Sequence, residues 1–437
     1  MKLKLIPSAH ELISGMREFF QISDNKLNYL NEEPLREELF SSDQMERFAK
    51  VLASKHTLNT QRAHDHLLKR LADNEMQLQE VRKLLTDSIK KKYQVTPAGE
   101  WLIDNFYLVE EHIRIAKTHF PKNYSEDLPQ LSDGASAGKT RIYDVVLQVI
   151  SHSDGRTDME SLGGFIKAYQ TVTNLQLGEL WAIPLMLRLA LIENIRRVSS
   201  RVAVGRVDKN LADYWGEKMI ETAGKDPKNL ILVVADMARS KPPMVSAFVS
   251  ELIRQLRGKG PELAMPLNWI EMQLSESGLT SNELVDAENQ KQAADQVSIS
   301  NSIASLRLLT AMDWREFVEA HSIVEQTLRE DNGGVYSSMD FSTRDRYRHV
   351  VESVARNSKS SEYEVARIAI ELTHGNVPGI DEDQSRLHVG YYLVGAGLSE
   401  TKKLAKLRYP LLKKSGKQFK TIYSKFTLAL SFSSHYQ

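Results

Sequence analysis

The sequence predicts an all-α protein, a multi-helix array or bundle with few or no strands. Two observations predict this class: apolar residues recur at spacings near 3.6 over much of the chain, and helix-start signals precede these runs. Strand signals are rare. The one apolar run that could form a strand, 230–234, stands between two helix-like segments and favours the start of a helix.

Helix starts are marked by capping boxes, in which a Ser or Thr side chain and a Glu or Gln three residues later satisfy each other's backbone N–H groups. The predicted boxes are Ser41–Gln44, Thr157–Glu160, Thr280–Glu283 and Ser361–Glu364. Thr96 followed by Pro97 predicts a further start, since proline suits the first helical position. There is no proline between Leu267 and Val377, so long helices are permitted there.

Composition excludes several classes of site. The 437 residues are 41% hydrophobic and 26% charged, with a formal net charge of zero, so the chain as a whole is not an obvious nucleic-acid binder. It contains no cysteine, which excludes disulfides, thiol catalysis and Cys-type zinc or iron–sulfur sites. No stretch reaches 18 uncharged apolar residues. The nearest, 180–192, predicts a buried core helix rather than a membrane span.

We predict four parts along the chain. They are a charged N-terminal helical region (1–94), a central helical core (95–270), a second helical region (271–375), and a linker with a basic, juxtamembrane-like tail (376–437). After Glu400 the tail contains no acidic residue and several lysines. Such a tail suits an anionic membrane surface, here through residues 401–437, while the simpler alternative is a solvated terminus.

The segment that begins at Thr96 predicts a helix with two distinct faces. Its apolar face is Leu102, Phe106, Val109 and Ile113, and its polar face is Glu100, Asp104, Tyr107 and Glu111. Paired carboxylates can act as general acid and base or hold a cation. We favour a solvated acidic face, which the helix dipole stabilises near the N-terminus.

The segment 178–197 predicts a central helix that is apolar nearly all round. Arg188 lies in its middle, and a buried arginine needs a carboxylate. We expect that partner to be Glu179, Glu193 or an acid of the Trp101 helix, in a structural ion pair; the alternative is a site for an anionic ligand such as phosphate. Pro184 is expected to kink the helix or end its first turn.

The candidate binding residues come from these two helices, and they include two tryptophans. Trp101 and Trp181 could stack on sugar rings, but we expect them to be core anchors. The candidates are Glu100, Trp101, Asp104, Glu111, Glu179, Trp181, Arg188, Glu193 and Arg196. The sequence predicts no catalytic residue and no metal site, because it has no Gly-rich phosphate loop, no HExxH and no Gly-x-Ser-x-Gly motif.

A third segment, 313–352, leads into two predicted helices, from Ser342 to about Arg356 and from Ser361 to about Thr373. The pair could be read as a helix–turn–helix whose arginines at 344, 346 and 348 touch phosphates. Nearby acidic residues offset those charges, so we predict no nucleic-acid partner.

Three blocks in order, Thr96 to Glu111, Gly178 to Arg197 and Asp313 to Arg348, resemble the N-terminal region of bacterial cyclic β-1,2-glucan synthases. The resemblance covers roughly residues 95 to 408. One departure is Gly99, where alanine is usual in that family. This substitution weakens the first helical turn slightly and affects no predicted chemistry.

The resemblance implies a cytoplasmic helical region that is not itself catalytic and lies at the inner face of the inner membrane. Its implied partners are the membrane and transferase modules of a glucan synthase, and β-1,2-glucan. UDP-glucose and a divalent cation belong in that family to a transferase module that this chain lacks, so we predict no cofactor here. The chain stops at Gln437, where the family would begin its membrane spans, which suggests a truncated or split product or a stand-alone accessory protein.

Two other interpretations remain open. The region could contribute chemistry by accepting the first glucose, for which Tyr107, Tyr336 and Tyr391 are suitable nucleophiles in type. It could also be a stand-alone helical interaction or glucan-binding protein at the periphery of the membrane.

Overall fold

The fold is entirely helical in the part of the chain that the structure describes. The computed structural model describes residues 32–59, 66–120, 127–375 and 384–406. These ranges contain 17 α-helices and no β-sheet, with only two isolated bridges, Leu58 to Leu131 and Gln130 to Thr140. The predicted all-α class is confirmed.

The helices are numbered here in chain order. The first six are α1 Ser42–Lys55, α2 Leu67–Lys90, α3 Pro97–Asp104, α4 Phe106–His119, α5 Arg141–His152 and α6 Met159–Gln170. The next six are α7 Leu177–Lys225, α8 Leu230–Ser240, α9 Ser246–Leu256, α10 Ala264–Ser275, α11 Ser281–Ala311 and α12 Trp314–His321. The last five are α13 Ile323–Leu328, α14 Phe341–Arg356, α15 Glu362–Gly375, α16 Val389–Leu393 and α17 Leu398–Leu404.

The predicted capping boxes account for several of these boundaries. Those at Ser41, Thr280 and Ser361 are confirmed. Each hydroxyl accepts the backbone N–H of the residue three positions on, and the Gln or Glu side chain at that position accepts the backbone N–H of the capping residue. The box predicted at Thr157 is wrong by one residue. Asp158 caps α6 instead, through Ser161 N–H at 2.8 Å.

Helix α7 lies at the centre of the fold. Every residue from 177 to 196 is buried, because α2, α4, α5, α11 and α12 pack around this half of the helix. Of the two outcomes expected for Pro184, the end of the first turn does not occur, because α7 runs through it; a kink there stays a prediction. Proline inside a helix costs about 3 kcal/mol, and the apolar surface buried on all sides of α7 outweighs that cost.

The buried apolar residues form three clusters, and the predicted four-part division stays a prediction. The first cluster takes in α1 to α6, the N-terminal half of α7, the C-terminal part of α11, and α12. The second joins the C-terminal half of α7 to α8, α9 and α10. The third is built from α13 to α17. Among the described helices, none offers the length of apolar sequence that crossing a bilayer requires.

The third cluster is attached to the start of α7 by a carboxylate. Glu362, the first residue of α15, accepts the backbone N–H of Leu177 at 2.8 Å. That N–H is one of the four at the helix start that have no partner within α7. Burial raises the pKa of Glu362 to about 7, and the nearby charges of Glu352 and Glu179 act in the same direction.

Core packing gives a first prediction, on α11. Leu306 is fully buried and Leu308, on the same helix, is 47% exposed. We expect Leu306→Ala to lower the free energy of unfolding by roughly 2–5 kcal/mol, and the control Leu308→Ala to change it by no more than about 0.5 kcal/mol. Urea unfolding followed by circular dichroism measures both. Equal losses in the two variants would contradict the assigned burial.

Glu362 gives a second prediction. Because its pKa is raised in the fold, the stabilisation that depends on its protonated form is complete below its unfolded pKa and is lost as the pH rises through about 7. Glu362→Gln keeps a hydrogen-bond acceptor without the charge. Its urea unfolding midpoint should therefore be higher than that of wild type at pH 8, and the two midpoints should converge near pH 5. The control Glu371→Gln, on the solvent side of α15, should follow wild type. A constant difference between Glu362→Gln and wild type would rule out this titration.

Candidate functional site

Helices α3 and α4 place the predicted two-faced segment on the surface of the first cluster. Thr96 caps α3 by accepting the N–H of Gly99, and Pro97 occupies the first helical position, as predicted. The predicted single helix is in fact divided at Asn105, where φ is −107° and ψ is 12°. The apolar face is nevertheless confirmed, since its four residues are all buried: Leu102, Phe106, Val109 and Ile113.

The opposite side of α3 and α4 faces solvent. The residues exposed there are Glu100, Trp101, Asp104, Tyr107 and Glu111; we call this set the aromatic–acidic face. Trp101 is 42% exposed and Tyr107 is 61% exposed. The expectation that Trp101 anchors the core is therefore wrong. Leu102, the next residue along the helix, takes the buried position, and successive helical residues point about 100° apart.

The break at Asn105 is held by a contact between helices. The Asn105 side-chain amide donates to the carbonyl of Trp101 at 2.9 Å, and its oxygen accepts from Nη2 of Arg307, on α11, at 3.1 Å. These two bonds fix α3 against α4 and tie both to α11. The aromatic–acidic face thus lies on two helices that are hydrogen-bonded to each other and to α11.

A recess that the sequence did not predict opens beside the start of α3. Its cavity volume is about 20 Å³, room for about one water molecule, and its wall includes Thr96 and Gly205. Charged residues of α7 and α11 complete the wall: Arg201, Lys209, Glu288, Lys291 and Asp295. Local sequence gave no signal for it, because the two charged sets lie some 80 to 90 residues apart in the chain and meet only through helix packing.

Glu179 and Arg141 form a buried ion pair between α7 and α5. Arg141 Nε donates to Glu179 Oε1 at 2.9 Å, and its Nη2 donates to the other carboxylate oxygen. Glu179 also accepts the backbone N–H of Gln176 at 2.9 Å, at the start of α7. Both side chains are almost completely buried, so this candidate residue serves to hold α5 on α7.

Glu193 is the centre of a larger buried network. It accepts from Arg70 Nε at 2.9 Å, Asn74 Nδ2 at 2.7 Å, Arg196 Nη2 at 2.7 Å and Arg197 Nε at 2.8 Å. Burial alone would raise the pKa of Glu193, but the Arg70 hydrogen bond and the charges of Arg196, Arg70 and Arg197 hold it well below its usual range. The predicted candidates Glu193 and Arg196 are thus joined with each other and with α2.

Arg188 lacks the carboxylate that the sequence led us to expect. Glu179 and Glu193 are engaged by other arginines, and the acids of α3 and α4 are exposed or only partly buried. Among the described residues, the one hydrogen bond of its guanidinium is from Nη1 to the Pro184 carbonyl, at 3.2 Å. The prediction of a structural ion pair is therefore wrong.

Trp181 is a core anchor, as expected. It is 5% exposed, and its ring meets that of Phe341, on α14, edge-on with centroids 6.3 Å apart. The contact joins the start of α7 to α14, whose Phe341 packs against the first cluster. Trp181 therefore offers no face for a sugar ring.

The third sequence block forms a buried charge network around Glu325. Arg348 Nη1 donates to Glu325 at 2.6 Å and to Glu319 at 2.9 Å, and Arg344 pairs with Glu319 at 2.8 Å. Tyr336 donates its hydroxyl to Glu325 at 2.7 Å, and burial together with that carboxylate raises the pKa of Tyr336. A fully buried phenol with a raised pKa is a poor nucleophile, so Tyr336 does not suit the glucose-acceptor interpretation.

A sequence comparison identifies a related protein. No protein-family model matches the chain. The chain is 30% identical over 325 residues to the cyclic β-(1,2)-glucan synthase NdvB of Rhizobium meliloti (strain 1021), an alignment that spans 74% of this chain and 11% of that synthase. A region of the chain is therefore related to that synthase, which confirms the resemblance seen in three sequence blocks. That the aligned part is the N-terminal region of the synthase stays a prediction.

The Glu193 network gives a third prediction. Because the pKa of Glu193 is depressed in the fold, its stabilisation is present above its unfolded pKa, near 4.5, and is lost as the pH falls below that value. Glu193→Gln leaves Arg70, Arg196 and Arg197 with the partly exposed Glu32 as their shared carboxylate, and should cost roughly 1.5–3 kcal/mol at pH 7. The difference from wild type should shrink between pH 5 and 3 in urea unfolding. Glu111→Gln, on the exposed face, is the control and should match wild type. A Glu193→Gln protein as stable as wild type at pH 7 would disprove the role given to the network.

Proposed function

Because a region of this chain is related to a cyclic β-(1,2)-glucan synthase, we propose that the chain is a non-catalytic helical part of a glucan-synthesising system. In this proposal it braces the transferase and membrane modules on the cytoplasmic side of the inner membrane and contacts the growing β-1,2-glucan. The relationship over 325 residues carries the proposal. It needs no cofactor of its own, since UDP-glucose and a divalent cation would be held by the transferase module.

The state of the buried carboxylates supports a non-catalytic role. Glu179 and Glu193 are each held by arginine and are covered by helices. A general acid or base must reach the proton that it transfers, and neither carboxylate reaches the surface. Charge compensation of this kind is what a bracing element needs, because it fixes how the helices sit on α7.

The aromatic–acidic face supports a glucan contact. The exposed rings of Trp101 and Tyr107 offer apolar faces for the C–H faces of glucose, and Glu100, Asp104 and Glu111 offer acceptors for sugar hydroxyls. The recess lies at the start of the same helix, since Thr96 forms part of its wall. Trp101 is five residues further on, about 7.5 Å along the helix axis. A glucan chain crossing α3 would thus meet aromatic and polar groups in succession.

A membrane-peripheral protein that binds glucan or other proteins is the second candidate. Its support in the described residues is the basic end of α17, where Lys402 and Lys403 precede Lys406. Most of the basic tail, residues 407–437, lies outside the described residues. On this proposal residues 401–437 would contact anionic lipid, and the aromatic–acidic face would keep its sugar-binding role.

The glucan contact gives a fourth prediction. Trp101→Ala and Tyr107→Ala should each weaken binding of linear β-1,2-gluco-oligosaccharides by roughly threefold to tenfold, because each removes a stacking face. Isothermal titration calorimetry on the full chain measures the affinities. Tyr363→Ala removes a tyrosine that is 41% exposed on α15 and should bind like wild type. Cello-oligosaccharides serve as the control ligand for linkage.

Failure of the sugar contact and failure of the bracing role can be told apart. If the wild-type chain does not bind β-1,2-glucan, the sugar contact is wrong. Co-purification of the tagged chain with separately expressed membrane and transferase modules then tests the bracing role. Absence of both interactions would contradict the proposed function.

A further inference from the structure

Arg188 is a buried cation whose charge is not balanced by any described neighbour. Its side chain is 6% exposed, and apart from the bond to the Pro184 carbonyl it makes no hydrogen bond within the described residues. Its Nε atom is buried and has no acceptor. Burial lowers the pKa of Arg188 to about 10, so the guanidinium is still charged at neutral pH. A buried charge in this state calls for a counter-charge.

His112, on α4, is a second buried group without a hydrogen-bond partner, and it lies near enough to Arg188 for the arginine's charge to act on it. It is 1% exposed, and neither of its ring nitrogens has a hydrogen-bond partner. Burial, and next the positive charge of Arg188, lower the pKa of His112 to about 4. The ring is therefore neutral at pH 7 and carries one N–H donor. Two donors with no protein acceptor thus lie between α4 and α7.

The nearest acids in the sequence cannot fill this role. Glu179 is bound by Arg141, and Glu193 is bound by Arg70, Arg196 and Arg197. Releasing Glu179 to Arg188 would leave the buried Arg141 without its anion, and releasing Glu193 would leave Arg70, Arg196 and Arg197 to share Glu32 alone. No acid among the described residues is therefore left to balance the charge of Arg188.

We propose that Arg188 and His112 form a binding site for one carboxylate, reached through the small exposed part of the Arg188 side chain. The guanidinium supplies the charge and Nε–H supplies a hydrogen bond, while the neutral imidazole donates a second. A carboxylate offers two oxygens to such a pair of donors, and a planar guanidinium favours it over a spherical anion. This proposal does not depend on the proposed function.

The carboxylate could be a free small anion or the side chain of another protein segment, and two probes distinguish these sources. Acetate tests the free anion. Aspartate blocked as its N-acetyl, α-methylamide derivative tests the same carboxylate on a peptide backbone. With the full chain labelled with ¹⁵N-histidine, the His112 signal, assigned by its loss in His112→Gln, should shift saturably on titration with acetate replacing chloride at constant ionic strength.

The variants are chosen so that each can fold. Arg188→Met fills a similar volume and removes the charge; we expect it to weaken acetate binding by at least about tenfold, and to melt no lower than wild type in acetate-free buffer, because it removes an unbalanced charge. Arg239→Met, which loses an exposed arginine of α8, should bind acetate like wild type. The melting temperature of wild type should rise with acetate, as expected when a ligand binds the folded state.

Each outcome decides the proposal. Binding of both probes supports a protein carboxylate as the occupant, and binding of acetate alone supports a free anion. If neither probe shifts His112 or raises the melting temperature of wild type more than that of Arg188→Met, the site does not exist. If Arg188→Met melts well below wild type without acetate, Arg188 already has an anionic partner and the proposal is overturned.

Discussion

The constraint on which this fold depends is the neutralisation of charges along the part of α7, residues 177–196, that is buried on every side. Within 18 residues α7 carries four buried charged side chains, Glu179, Arg188, Glu193 and Arg196, and all but Arg188 are in ion pairs among the described residues. A charge removed from water costs several kcal/mol unless it is paired. Apolar surface is non-directional and would tolerate a sliding or rotated neighbour. The ion pairs do not tolerate such a shift, because both partners must stay within reach of each other. Arg141 therefore determines the position of α5 on α7, and Arg70 determines the position of α2.

Several helix starts could be predicted from local sequence, because the signals that mark them are local. A capping box is read within four residues, and those at Ser41, Thr280 and Ser361 need no tertiary partner. The capping box predicted at Thr157 was wrong because of a tertiary contact. Its backbone N–H donates to Ser305 Oγ at 2.9 Å, a residue 148 positions away, and Asp158 takes over the cap. The buried faces also followed from spacing, as the burial of Leu102 and Ile113 shows.

The candidate site was less predictable, because its geometry is set by distant residues. Spacing offered Arg188 two acids on its own helix, yet Glu179 is taken by an arginine 38 residues away and Glu193 by one 123 residues away. Trp101 was expected in the core because large aromatic residues usually are. Adjacent Leu102 is the residue that turns inward, and Trp101 is left on the surface. Neither outcome can be predicted from one segment, since each depends on which distant residues pack against the helix.

The length of α7 has a mechanical consequence. Its 49 residues form one rod about 74 Å long, whose first half belongs to the first cluster and whose second half belongs to the second. Helix α11 returns alongside it, with Leu284 against the second cluster and Leu306 in the first. Domain hinges need loop or element-terminal residues that can absorb a change in φ and ψ, and no such residue lies on either of these two crossings. The two clusters are therefore joined at both crossings by continuous helix, with no loop between them at which a hinge could form.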